Sequence, residues 1–401
     1  MNFQADHRLI LGENLRGKRS CGCHAGFNFS SDKDNYTLDE SIEEVYRYGM
    51  AWTTPNYSRK RVNEAGKYLT IAPLWGRDRD AALDVINNWR AAHSYPLHVI
   101  KMNLLQRARR LDPNAIIAQR QKRLSSIRSK LLSKPDMKLS QMQDIGGCRA
   151  VMVDMRRVTQ LVDLYRDANA RNPNRHTLAK EKNYIAEPKT DGYRSYHFVY
   201  KYKSRAEEYK IFNEQKIEIQ IRSRLQHAWA TAVETISTFT GQALKSSIGH
   251  DIGHDDWLRF FALMSSSIAL REKCPPVPGT PDDRKELKQE LKALSDSLRV
   301  QEVLQGWGTA VRHVVTNAAN AHAFLLVLDP NKNTLQVVPY LKDELVRAND
   351  DYLIAEKRTE VETNVQAVLV SVDSIATLKS AYPNYYLDTT AFVKALQEAT
   401  K

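Results

Sequence analysis

The chain has 401 residues, enough at about 150 per domain for two or three compact units with proper cores. Hydrophobic residues make up 42% and charged residues 26%, which excludes wholesale disorder and a fibrous repeat. No apolar run approaches the roughly 18 residues of a membrane span, and the polar start Asp6-His7-Arg8 reads against a secretory signal, so a cytoplasmic protein without membrane contact is expected.

Four cysteines do not make a disulfide framework, and Cys21, Cys23 and His24 lack the spacing and second ligand pair of a zinc ribbon. The net charge is +12, and it is unevenly placed. Residues 275–401 hold 14 basic and 17 acidic side chains, which leaves +15 for residues 1–274. A surface so basic calls for a polyanion: a nucleotide, an RNA or both.

In chain order, residues 1–60 read as an arm with little periodicity and one helix near Leu38 to Tyr48. Helical spacing follows at Ala81 to Ala92 and Val99 to Arg110. Asn114 to Leu132 reads as a helix or a helix-strand junction with a basic face. Strands are expected at Cys148 to Met152, Tyr196 to Tyr202 and Lys216 to Ile221, where alternation puts Glu218 and Gln220 on one face; a helix at Gln226 to Thr238 follows. Pro275, Pro276, Pro278, Gly279 and Pro281 mark a linker, and Asp282 to Val303 a charged helix. Beyond it come a hairpin of Ala323 to Leu328 with Thr334 to Pro339, a helix from Leu341 to about Glu360, a strand Val365 to Val372, and helices at Ser374 to Ser380 and Thr390 to Thr400. The expected divisions are an arm 1–60, a catalytic domain 61–274, a connection 275–300 and a regulatory domain 301–401.

The chemistry-bearing residues fall in four clusters. Asp144 precedes a Gly-Gly turn and Glu218 sits on a strand, so the two carboxylates can converge on one Mg²⁺. Arg120, Lys122, Lys130, Arg149 and Lys189 can clamp phosphates beside them. Gly192 permits a tight turn that presents Tyr193, a ring placed to stack on a base. Each feature alone has a bland structural explanation; together, in this order, they describe a triphosphate site.

These motifs resemble the synthetase domain of RelA/SpoT homologues over about residues 80–240. The segments that carry the resemblance are Arg120 to Lys130, Asp144-Ile145-Gly146-Gly147-Cys148-Arg149, Pro188-Lys189 with Asp191-Gly192-Tyr193-Arg194-Ser195-Tyr196-His197, and Glu218-Ile219-Gln220-Ile221-Arg222. The resemblance implies an α+β fold with a nucleotidyltransferase-like mixed sheet flanked by helices, and pyrophosphate transfer from ATP to a ribose 3′-hydroxyl. It implies Mg²⁺ on Asp144 and Glu218, with Glu218 also the base. Arg120 and Arg157 would sandwich adenine, while Lys122, Ser126, Lys130 and Arg149 hold its phosphates. Tyr193 would stack on the acceptor base with His197, Lys189, Gln220 and Arg222 nearby. Asp191 departs from the family pattern, in which Asn is common before Gly-Tyr. The acceptor is GDP or GTP in the housekeeping branch, giving (p)ppGpp, and the 3′ end of tRNA in toxic small synthetases.

The C-terminal part is similar to the pseudo-zinc-finger antitoxin domain of fused toxin-antitoxins of the CapRel type. It carries no cysteine beyond residue 274 and hence no zinc. In that family a Tyr-x-x-Tyr segment blocks the ATP site and a phage capsid protein frees it; Tyr382 and Tyr385 match the spacing, and Val368 and Ala381 are the expected exposed trigger contacts. The reading that follows is a tRNA-modifying pyrophosphokinase restrained by its own C-terminus, with a small alarmone synthetase as the alternative. His250-Asp251 with His254-Asp255 read as a polar loop capping a helix in preference to a phosphohydrolase, and a non-enzymatic RNA-binding module is the third class.

Overall fold

The computed structural model describes residues 52–401 apart from 72–76, 172–175, 240–253, 311, 316–320, 330–331, 333, 362–364, 372–374, 384 and 387. Among the described residues three helices come first, α1 (Arg59–Tyr68), α2 (Arg77–Ala92) and α3 (Ser94–Leu111). Pro96 lies inside the first turn of α3, where its missing N–H costs nothing, so the helix begins ahead of it. The basic stretch from Asn114 is the junction form: strand β1 (Ile116–Gln121), then helix α4 (Leu124–Ser133). Next come β2 (Gly146–Met152), α5 (Met155–Arg171), β3 (Thr177–Asn183), β4 (Tyr196–Lys201), β5 (Lys216–Ser223) and α6 (Arg224–Phe239).

His254 opens α7 (His254–Glu272); His250 and Asp251 lie outside the described residues, as does the arm helix expected near Leu38 to Tyr48. The expected charged helix is two, α8 (Arg284–Ser297) and α9 (Val300–Ala310), separated where Arg299 takes φ 50°, a left-handed cap that stops the first helix. The remaining elements are β6 (Arg312–Val315), β7 (Ala323–Asp329), β8 (Thr334–Tyr340), α10 (Leu345–Val361), β9 (Gln366–Ser371), α11 (Ile375–Ala381) and α12 (Thr390–Thr400). β7 and β8 form the expected antiparallel hairpin.

The described strands make one mixed sheet of nine, in the order β3-β4-β5-β2-β1-β9-β7-β8-β6. β2 runs parallel to β5 and β6 parallel to β8, and the other neighbours are antiparallel. The C-terminal strands do not stand as a separate small sheet. β9 pairs with β1 through Gln119 opposite Ser371 and Arg120 opposite Val370, so the sheet continues from one half of the chain into the other.

The alternation of β5 buries Ile217, Ile219 and Ile221 against α3 and α5, through Leu97, Ile100 and Leu104 and through Val158, Leu161 and Tyr165. Its other face carries Glu218 and Gln220. A second core joins α6 to α9, and the C-terminal helix α12 closes it with Phe392 and Leu396. Val368 and Ala381 correct an expectation: both are fully buried, packed with Phe324, Leu326 and Tyr382, because β9 is an interior strand and α11 lies on the sheet. The large apolar side chains that are exposed among described residues 301–401 are Leu341, Val346 and Ile354.

Candidate active site

Parallel pairing of β2 with β5 sets Gly147 beside Glu218. This closes the long sequence gap between the two carboxylates, because Asp144 lies just ahead of β2. Both line one small cavity of about 50 Å³ together with Arg120, Lys122, Arg149 and Tyr382. Asp144 accepts from Lys122 Nζ at 2.9 Å and from Lys130 Nζ at 2.8 Å. Burial pushes its carboxyl up, but the two ammonium groups prevail and hold it down at about 2. Asp144 is therefore an anion at neutral pH, held between two lysines.

Glu218 is the opposite pole. Tyr193 donates its hydroxyl to His197 Nε2 at 2.9 Å, and His197 Nδ1 lies 2.9 Å from Glu218 Oε1. Gln220 donates to the second carboxylate oxygen at 2.7 Å. Burial opposes the charge on Glu218, and the hydrogen bond and field of His197 lower its pKa in spite of it. Burial pushes the Tyr193 phenol up to about 12, which keeps it a donor at pH 7. The three side chains form a line, Tyr193 to His197 to Glu218, that ends in the cavity shared with Asp144.

Tyr193 is presented by a strained turn. Gly192 takes φ 89°, and a Cβ there would lie 2.9 Å from Trp229 Cζ2. Asp191 accepts from the Tyr193 amide at 2.8 Å, so this residue suits the turn although it departs from the family pattern. Lys189 Nζ sits 5.0 Å from the Tyr193 ring centre and 5.1 Å from that of Tyr184, within cation–π range. Lys189, Asp191 and Tyr193 border a second cavity of about 200 Å³, lined also by Arg120, Arg149, Gln220 and Arg222. Burial, reinforced by Arg149, lowers the Arg222 guanidinium to about 9, still a cation at pH 7.

The C-terminal segment lies against the same cations. Arg149 donates to the Ala381 carbonyl, and its guanidinium is 5.2 Å from the Tyr382 ring centre. Tyr382 in turn donates to Gln119 O at 2.9 Å. Arg222 donates to His227 Nδ1 at 2.7 Å, so His227 presents Nε2–H to Ser380 O at 3.1 Å. Tyr385 is buried one turn further, in the field of Arg123.

The site thus brings together Asp144, Glu218, Tyr193, His197, Lys122, Lys130, Arg149, Gln220, Arg222, Lys189, Arg120, Tyr382 and, beside them, Tyr385. Ser126 is half-buried in the first turn of α4, between the two lysines in sequence. Arg157 is apart: it lies on α5, donates to Gln160, and lines neither cavity. Sequence reasoning missed Arg123, next to Lys122, and Arg90, Tyr352, Glu356 and Gln366, which surround the Lys122 segment from elsewhere in the fold. The donor set suits Mg²⁺, since two carboxylates face one cavity and the ion takes oxygen ligands. Among the described residues no group of three His, Cys, Asp or Glu is gathered as a metal site.

The segment that holds most of these residues is similar to known proteins. Residues 119–240 match the family model described as a region found in RelA / SpoT proteins. That segment carries a RelA/SpoT region. It spans the site from Gln119 past Arg222 and supports pyrophosphate transfer from ATP as the chemistry of the RelA/SpoT region. Among solved structures, the chain is similar to small alarmone synthetase 2 from Bacillus subtilis at 20% identity, over 46% of this chain and 91% of that one, with a TM-score of 0.35. Small alarmone synthetase 1 from the same organism, bound to its product pppGpp, matches at 21% identity over 55% and 97%, with a TM-score of 0.34. A GTP pyrophosphokinase family protein from Streptococcus pneumoniae matches at 20% identity over 50% and 95%, with a TM-score of 0.35. No curated protein matches the chain. No described helix is long and apolar enough to cross a membrane.

Proposed function

We propose that this chain is a pyrophosphokinase that transfers the β,γ-pyrophosphoryl group of ATP to the 3′-hydroxyl of tRNA, and that its C-terminal segment restrains it. The observation that carries the catalytic part is the shared cavity of Asp144 and Glu218, lined by Lys122, Arg120 and Arg149, with Lys130 bonded to Asp144. The acceptor oxygen attacks the β-phosphorus, the bond from that phosphorus to the α-bridging oxygen breaks, and AMP leaves. The acceptor proton passes to Glu218, which His197 orients. Lys122, Lys130 and Arg149 hold the phosphate charge. Asp144 and Glu218 would hold Mg²⁺, which when bound neutralises charge developing on the transferred group.

Support for tRNA comes from the +15 balance of residues 1–274, because a polynucleotide rewards Lys and Arg whatever its sequence. Support for restraint comes from Tyr382, whose ring lies against Arg149, one of the cations assigned to the ATP phosphates. A phage protein is the proposed releasing partner, acting on residues 301–401. GDP or GTP is the second acceptor, favoured by one observation: the 200 Å³ cavity beside Tyr193 and Lys189 is of a size for a single base. The test offers GDP, GTP and bulk tRNA together to the chain with β,γ-labelled ATP. Label on tRNA supports the reading; label on GDP or GTP alone replaces it with alarmone synthesis.

A further inference from the structure

The segment Lys122-Arg123-Leu124, which turns β1 into α4 and delivers Lys122 and Lys130 to Asp144, is held almost entirely by groups far away in sequence. Arg90, on α2 and 2% exposed, donates from Nε to Lys122 O at 3.1 Å. Its remaining donors go to Asn87 Oδ1, to Tyr352 Oη, and to Glu356, in a fork of 2.6 and 3.1 Å. Glu356 Oε1 also accepts from the Leu124 amide at 2.8 Å and from the Tyr352 hydroxyl at 2.7 Å. Arg123 donates to Gln366 Oε1 at 2.9 Å.

The sequence explains why the hold must come from outside. The N-cap of α4 is Arg123, which offers no side-chain acceptor, so the first amide of the helix needs one from elsewhere. Glu356 on α10 supplies it, and a carboxylate at a helix N-terminus also meets the positive end of the helix dipole. Tyr352 and Glu356 are four apart on α10 and so share a face.

We propose that Glu356 is a positioning residue for the phosphate end of the ATP site, so that the C-terminal part of the chain completes the site it also covers. The proposal rests on the ATP reading of Lys122, Lys130 and Asp144. Glu356 acts through Leu124 and, by way of Arg90, through Lys122; it touches no substrate. A consequence is that cutting the chain after Pro275 removes the cover and the cap together, and gives an inactive enzyme instead of an unrestrained one.

The test uses the full chain carrying Tyr382→Ala, which uncovers the site, with Glu356→Gln or with Arg90→Met and Glu356→Met together. The double change replaces a buried ion pair by apolar side chains of similar volume, which such sites often tolerate. Expected are an ATP KM raised about tenfold with the acceptor KM unchanged, and, in the double variant, amide exchange at Leu124 faster by about tenfold with a cooperative thermal transition kept. An unchanged ATP KM, or equal rises in both KM values, overturns the proposal. Exchange in the unsubstituted chain is a further arm that needs no variant and no turnover: Leu124 should be protected like the interior of α10, and exchange as fast as a free helix end overturns the cap. If the Tyr382→Ala chain transfers no label while Leu124 is protected, the ATP reading fails and the clasp stands.

Discussion

Arg149 and Tyr382 meet in the lining of the cavity that holds Asp144 and Glu218: the guanidinium lies 5.2 Å from the ring centre and donates to the carbonyl of the preceding residue, Ala381. The two come from opposite halves of the chain and are joined through the continuous sheet. A nucleotide held by Arg149 would therefore compete with the Ala381 carbonyl and the Tyr382 ring for it.

Replacing Tyr382 with Ala removes the ring and its hydrogen bond to Gln119. Keeping a closed state at 99:1 takes about 2.7 kcal/mol, and the two lost contacts together amount to about 1–2 kcal/mol. Transfer from ATP should therefore rise about tenfold, measured as labelled acceptor with folding followed by circular dichroism. Activity at or below that of the unsubstituted chain in a folded variant removes the basis for restraint.

Tyr193 has two roles that separate in kinetics. Tyr193→Phe keeps the ring and loses the hydrogen bond to His197, so kcat should fall by about tenfold or more with the acceptor KM unchanged. Tyr193→Ala also loses the ring and should raise the acceptor KM. Identical kinetics for the two variants would show that the ring does not bind the acceptor.

The turn that presents Tyr193 needs its glycine. Gly192→Ala places a Cβ at 2.9 Å from Trp229 Cζ2 and 3.0 Å from Phe261 O, at φ 89°. A loss of about 2 kcal/mol of stability is expected in denaturant titration, with a larger loss of transfer because the ring moves. Unchanged stability would mean the turn relaxes freely.

His93 predicts an acid-sensitive step in stability. Burial pushes its imidazole down to about 4, against the weaker opposing effect of its bond to Trp89 O. A histidine held neutral in the fold binds its proton more tightly when unfolded. The stabilisation is present above about pH 6.5 and is lost as pH falls toward 4, by up to about 3 kcal/mol. His93→Phe should flatten this part of the stability profile; an unchanged slope between pH 4 and 6.5 would assign the sensitivity to other groups.

Much of the site was legible because its chemistry sits on local patterns. Glu218 could be placed from the alternation of Ile217, Ile219 and Ile221, and Asp144 from the glycines that follow it. The hairpin of β7 and β8 announced itself by turn residues. Strand β3 did not: at the sheet edge, with Leu178 and Ala179 its only apolar residues, it has no buried face to impose alternation. Helix α5 carries Val158, Leu161, Val162 and Tyr165 at helical spacing, a signal that a reading centred on motifs passes over. Arg90 and Glu356 leave no trace in sequence, since a buried ion pair between distant helices shows only two ordinary charged residues in otherwise amphipathic patterns. The burial of Val368 and Ala381 follows from β9 lying between β1 and β7, a pairing no local pattern encodes.

Transfer of pyrophosphate and transfer of one phosphate at the Asp144 and Glu218 cavity differ in the nucleotide that ATP leaves behind. The most direct measurement is the nucleotide released from ATP by the Tyr382→Ala chain supplied with tRNA, GDP and GTP, with and without Glu218→Gln. Pyrophosphate transfer gives AMP in one-to-one ratio with labelled acceptor, and none when Glu218 is changed. Release of ADP, or AMP release that survives Glu218→Gln, would contradict it.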